Sequence, residues 1–199
     1  DRLLATPPLA LGQARAVAVE MAGKATAALK MSTTAFTGYS KEKAEQIHAE
    51  EACCDEMEDI LGTYLVKLSA EQLGEKESEE ATALLKSIGD FERISDHAVN
   101  ILQSAEELRD KHLTLTEEAL REYRVIAAAV TEVLDLSLAA FQNGDTVSAA
   151  SVEPLEQVID TLKEQLRTNH ILRMRDGKCS VEVGFVWSDI LTNLERVSD

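Results

Sequence analysis

Five glutamates in this chain are each followed four residues later by an aspartate: Glu51/Asp55, Glu92/Asp96, Glu106/Asp110, Glu156/Asp160 and Glu195/Asp199. On a helix, residues i and i+4 lie one above the other, so each pair aims two carboxylates at one neighbourhood. A lone pair means little, because random placement of 24 Glu and 12 Asp would produce about one or two. Four of the five, however, fall in register. ERISD at Glu92–Asp96 returns as ERVSD at Glu195–Asp199, 103 residues on, and Glu51/Asp55 is answered by Glu156/Asp160, 105 residues on. Each half carries two pairs in the same order, and only Glu106/Asp110 has no counterpart.

Paired carboxylates in this number suggest a metal site. Like charges one turn apart oppose helix formation by about 0.2–0.5 kcal/mol per pair, and two pairs meeting in a partly dehydrated groove repel further. Cations relieve that repulsion. All-carboxylate donors are hard oxygens that suit Mg, Ca, Mn or oxidised iron, with zinc tolerated, and four of them are enough to bridge more than one ion. The plain alternative is that Arg93, Arg196, Lys67, Lys86 and Lys163 pair the acids off at the surface. The fourfold register favours metal.

The elements that would position these acids are helical. Aromatics are 4% of the chain, with 9 Gly and 3 Pro, and Ala, Leu and Glu dominate, which favours long helices over sheets. Pro7-Pro8 should stop regular structure before Leu9, and a first helix runs from there to about Tyr39, closed by Gly38. Ser40 opens a second helix to about Leu73-Gly74. The third is marked by Leu84, Ile88, Phe91, Ser95, Ala98, Leu102 and Ala105 at alternating spacings of four and three, the seam of a bundle. It ends near Lys111-His112. Thr116 opens a fourth, stopped at Asn143-Gly144. A fifth spans about Thr146 to Arg175 and is kinked or divided by Pro154. Asp176-Gly177 turns the chain into a sixth. The expectation is an all-α chain of two tandem three-helix bundles, residues 1–112 and 113–199, with six long antiparallel helices packed into one domain. Glu92, Glu156 and Glu195 each directly follow an apolar seam residue, so the pairs flank helix–helix contacts.

The formal charge of −16 argues against nucleic acid and against adsorption to an anionic membrane. The hydropathy pattern predicts no membrane span and no signal peptide, and the initial Asp reads as part of a longer protein. Cys53, Cys54 and Cys179 give neither a disulfide framework nor a zinc spacing, and the adjacent pair reads as core filler in a reducing compartment. Glu45-Gln-Ile-His48 has the spacing of a ferritin-like ligand pair, but such bundles need two of these motifs. His48 and His170 read as helix-surface or boundary residues, and Trp187 as core. No phosphate-binding loop or nucleophilic triad is visible, so no enzyme activity is expected.

The doubled layout, with E-x-x-x-D on the second and third helix of each repeat, resembles the PhoU family. ERISDHAVNI at Glu92–Ile101, including His97 and Asn100, is similar to that family's third-helix signature. The resemblance implies one multinuclear metal cluster per repeat, commonly iron or zinc: Glu51, Asp55, Glu92 and Asp96 in the first, Glu156, Asp160, Glu195 and Asp199 in the second. A narrower match concerns Asp1–Pro8, Arg175-Asp176-Gly177 and Trp187–Leu191, which resemble bacterial sodium/phosphate cotransporters carrying a C-terminal PhoU-like domain. It implies a domain tethered to a transmembrane transporter portion of the same chain, at the cytoplasmic face of the inner membrane. A second copy of the chain is a further candidate partner. The alternatives are a free-standing phosphate-signalling adaptor and a metal-free helical scaffold or dimerisation module.

Overall fold

The computed structural model describes residues 6–71 and 73–199. Six helices hold nearly all of them: α1 (Pro7–Thr33), α2 (Lys41–Ser69), α3 (Glu75–Asp110), α4 (Glu117–Asn143), α5 (Thr146–Arg175) and α6 (Val181–Ser198). No strand occurs among the described residues. Helices α1–α3 pack on one another as one bundle and α4–α6 as a second, and the bundles join where α3 meets α6 and α1 meets α4. α2 and α5 lie apart, each on the outside of its own bundle.

Capping chemistry explains most of the boundaries. Ser40 accepts a hydrogen bond from the Lys43 amide, Thr116 from that of Ala119, and Ser180 from that of Val183, each satisfying an amide the first helical turn leaves free. Asp145 accepts from two amides at the start of α5. Gly144 ends α4 at φ 63, a left-handed conformation that a side chain would strain.

The core does not respect the repeat boundary. One apolar cluster fills the first bundle through Leu11, Met21, Leu65, Leu84 and Ile88. A larger one crosses the join, taking Ile101 and Leu102 from α3, Ile126 and Val130 from α4, and Trp187, Ile190 and Leu194 from α6. Arg15 reinforces the join, donating to the Phe141 carbonyl at 3.0 Å, and the Tyr123 hydroxyl donates to the Thr33 carbonyl at 2.7 Å.

Several boundaries differ from the sequence expectation. α1 begins on Pro7 instead of after Pro8, because the first helical position needs no amide donor. It ends at Thr33, well before Gly38: the hydroxyls of Ser32, Thr33 and Thr34 each turn back onto the carbonyl three residues earlier, at 2.7–2.8 Å, which competes with continued helix. α5 passes through Pro154 as one helix, with the proline and Ala150 exposed so that the released carbonyl can meet water. Among the described residues, α4 alone reaches a mean hydropathy of 1.6 over 18 residues and so has the length and composition of a membrane helix. Its Val, Leu and Ile residues raise that mean, and Tyr123, Ile126, Val130 and Leu134 are buried in the bundle.

Candidate functional site

In the first bundle, α2 is fixed by Ile47, Cys54, Leu61 and Leu65, all buried. Glu51 and Asp55 run beside that stripe. α3 is fixed by Leu84, Ile88, Ser95, Ala98 and Leu102, and Glu92 and Asp96 run beside it in the same way. The Ser95 hydroxyl donates to its own helix, to the Glu92 carbonyl at 2.7 Å, which keeps the α2–α3 contact free of an unpaired polar group. The two acidic edges then face one groove, with the glutamates half-buried and the aspartates at its exposed mouth.

The electrostatics follow from that placement. Burial, and then the charge of Asp96, raises the Glu92 carboxyl from its ordinary 4.5 to about 7, with Glu58 and Asp55 adding to the effect. Burial and the charges of Asp96 and Asp55 push Glu51 up as well. The structure therefore brings Glu51, Asp55, Glu92 and Asp96 into one mutually repelling group.

The second bundle repeats the arrangement with α5 and α6. Carboxylate oxygens of Asp160, Glu195 and Asp199 lie within 4.8 Å of one another. Glu156 belongs to the same group: burial first, then Asp199 and Asp160, raise its carboxyl above the ordinary range. Asp199 is raised by burial and by Glu195 and Asp160, partly offset by Lys163 and Arg196. The eight carboxylates act on one another's charge in two groups, and among the described residues it is Asp160, Glu195 and Asp199 whose oxygens converge to within 4.8 Å. Glu106 and Asp110 stand apart, Glu106 accepting from the Tyr39 hydroxyl at 2.9 Å and Asp110 pairing with Arg109.

Sequence reasoning overlooked Glu58. It follows Asp55 by three residues and Glu51 by seven, so it shares their helix face, and that spacing could have identified it. It is half-buried, and its charge helps raise the Glu92 carboxyl. The surface ion-pair alternative fares unevenly. Arg93 pairs with Asp90 on its own helix, away from the first cluster. Lys163, by contrast, reaches Glu195 inside the second, with Nζ 2.8 Å from Oε1 and both side chains less than one-fifth exposed.

Other residues take structural roles. Cys54 is buried and its thiol is pushed up to about 11 by burial, so it is no thiolate at neutral pH. His170 is not the surface residue the sequence suggests. It is buried against Trp187, ring centroids 6.2 Å apart, because the neighbouring Gly184 leaves room: a Cβ there would lie 2.8 Å from His170 Nε2. Beside it Arg173 is buried and paired with Glu122 at 2.8 Å.

Fold and site together define a class: a duplicated three-helix bundle with a carboxylate-lined groove between the second and third helix of each copy. The PhoU domain family model matches residues 18–105 and 124–199, once in each repeat, and the chain belongs to that family. It is 29% identical over 116 residues to a phosphate-specific transport system accessory protein PhoU homolog of Thermotoga maritima, a match covering 58% of this chain and 49% of that protein. It is 26% identical over 192 residues to the PhoU homolog of Streptococcus pneumoniae, covering 96% of this chain and 83% of the relative. The fold matches the crystal structure of PhoU from Pseudomonas aeruginosa with a TM-score of 0.86 at 22% identity, over 96% of this chain and 90% of that one. It matches PhoU from Streptococcus pneumoniae at 0.70 and 23%, over 98% and 88%.

Proposed function

We propose that this chain is a PhoU-type regulator of phosphate transport whose two carboxylate groups hold metal ions, and that it acts by contact with transport machinery and not by catalysis. What carries the reading is a coincidence of two features: the family match falls once on each repeat, and each repeat gathers its own four carboxylates. The relatives from Thermotoga and Streptococcus are described as accessory proteins of a phosphate-specific transport system, which supports phosphate as the process served.

The donor chemistry fits metal. Each group offers only carboxylate oxygens, which suit iron, and accept zinc, magnesium or calcium. Glu51, Asp55, Glu92 and Asp96 would hold one cluster, and Glu156, Asp160, Glu195 and Asp199 the other. A bound cation there would supply positive charge that offsets the repulsion and ties α2 to α3, or α5 to α6. The chain's own residues supply the rest: the buried stripes of α2 and α3 hold the acids in register, and the half-buried glutamates form the base of each groove.

The free-standing adaptor is the better supported form, since the relatives are accessory proteins of a phosphate-specific transport system. A domain tethered to a sodium/phosphate cotransporter is the second reading. It rests on the resemblance of Asp1–Pro8, Arg175-Asp176-Gly177 and Trp187–Leu191, of which Asp1–Ala5 lie outside the described residues. In either form the chain would work at the cytoplasmic face of the inner membrane. The test is complementation: in bacteria lacking their own PhoU-type regulator, this chain should restore control of phosphate uptake, and the Glu92→Gln/Asp96→Asn variant should not. Folded, expressed chain that leaves uptake uncontrolled would contradict the proposal. Membrane helices encoded ahead of Asp1 would favour the tethered form.

A further inference from the structure

The two clusters are not copies of each other. On α2 the acidic face reads Glu51, Asp55, Glu58; the residues 105 positions on, along α5, are Glu156, Asp160 and Lys163. The third position has reversed its charge while keeping its place. The charge of Glu58 helps raise the carboxyl of Glu92 on α3, and Lys163 pairs with Glu195, which stands in the repeat where Glu92 does. In the second groove the oxygens of Asp160, Glu195 and Asp199 converge to within 4.8 Å with an ammonium on Glu195, whereas in the first the corresponding position adds a further negative charge.

We infer that Lys163 is a built-in cation that occupies part of the second cluster and weakens it as a metal site, so that the first cluster, which holds no such cation among the described residues, loads first. This rests on the metal reading above. Lys163 Nζ lies 2.8 Å from Glu195 Oε1, with side-chain exposures of 16% and 18%, so the contact is held in the groove and not at a freely solvated surface. It also lies close enough to Asp199 to offset that charge. A metal ion entering the second groove must share Glu195 with an ammonium or drive the ammonium out. The flexible four-carbon stem of lysine allows the second course, at the cost of a short, partly dehydrated ion pair. Among the described residues, no lysine or arginine pairs with Glu51, Asp55, Glu58, Glu92 or Asp96 in the first groove, where Arg93 turns to Asp90 instead. The two repeats would thus fill at different metal concentrations, the second reporting a higher level than the first.

The test is a Mn2+ titration of the chelator-treated 199-residue chain, with bound metal counted by equilibrium dialysis and elemental mass spectrometry. The wild type should fill in a tight and a weak step, and Glu92→Gln/Asp96→Asn should keep only the weak one. In that background Lys163→Met and Lys163→Glu should tighten the remaining step by about tenfold or more, whereas Lys163→Arg, which keeps the charge, should leave it unchanged. Glu58→Lys in the wild type should weaken the tight step. Circular dichroism melting confirms that each variant is folded. A weak step unmoved by Lys163→Met and by Lys163→Glu overturns the role of Lys163 while the tight step keeps the metal reading standing. No Mn2+ bound by any folded variant overturns both.

Discussion

His97 Nδ1 lies 2.8 Å from Asn193 Oδ1, a hydrogen bond that crosses from α3 to α6 and so from one bundle to the other. His97 follows Asp96, and Asn193 precedes Glu195 by two residues, so the bond ties together the two helices that each carry one arm of a carboxylate cluster. Asn193 is oriented by its amide, which donates to the Asp189 carbonyl at 2.8 Å. With Oδ1 as acceptor, His97 must carry its proton on Nδ1. His97→Ala and Asn193→Ala should each lower stability by about 1 kcal/mol, and a double-mutant cycle in urea should show coupling of similar size. Additive losses would mean the bond contributes nothing across the join.

The acidic groove makes the metal-free chain sensitive to pH in a defined direction. The Glu92 carboxyl is raised from 4.5 to about 7 in the folded chain, so between those values the folded state holds a proton that the unfolded chain has released. The stability this contributes is fully present below about pH 4.5 and is lost as pH rises through about 7. Chelator-treated protein with Glu92→Gln should therefore lose less stability than wild type between pH 5 and 8, measured by urea unfolding. His170 works the other way: burial, then Arg173, lowers it below the usual 6.5, so its contribution is present above that value and fades as pH falls. Identical pH profiles for wild type and Glu92→Gln would show that Glu92 is not strained in the empty groove.

The buried pair of Arg173 and Glu122 should be costly to break and cheap to replace. Their side chains are 5% and 14% exposed, and Asn169 also donates to Glu122 at 2.8 Å. Glu122→Ala leaves a guanidinium buried without a counter-charge, at a cost of about 3–5 kcal/mol. Glu122→Met combined with Arg173→Met should recover most of that loss in thermal unfolding. A double variant as unstable as Glu122→Ala would mean that the ion pair itself holds α4 against α5.

Gly184 offers a steric test of the same region. An added Cβ would stand 2.8 Å from both His170 Nε2 and Met174 Sδ. Met174 is flexible and can yield, but His170 is buried against Trp187. Gly184→Ala should lower stability by about 1–3 kcal/mol, and Gly184→Ala/His170→Ala should suffer less than the sum of the two single changes.

Much of this architecture could be read from residue order. The carboxylates were legible because i and i+4 fix a helix face whatever the partner helix does, and the repeat register showed which pairs belonged together. Ser40, Thr116 and Gly144 marked helix ends through local chemistry. What remained hidden depended on contacts between helices. His170 and Arg173 are polar residues made buriable by one another's neighbours, Glu122 and Gly184, which are distant in sequence. The early end of α1 came from three hydroxyls bonding backwards, a local effect that competed with an otherwise helical run. Glu58 was missed because its counterpart in the second repeat is a lysine, so a search for matching acids passed over it.

The most direct test of the central claim is the metal content of the untagged chain purified without chelator, measured by mass spectrometry beside the Glu92→Gln/Asp96→Asn variant. The account predicts two or more tightly held ions per chain, reduced by the double substitution with the fold intact. Metal-free protein that takes up neither iron, zinc nor magnesium on reconstitution would contradict it.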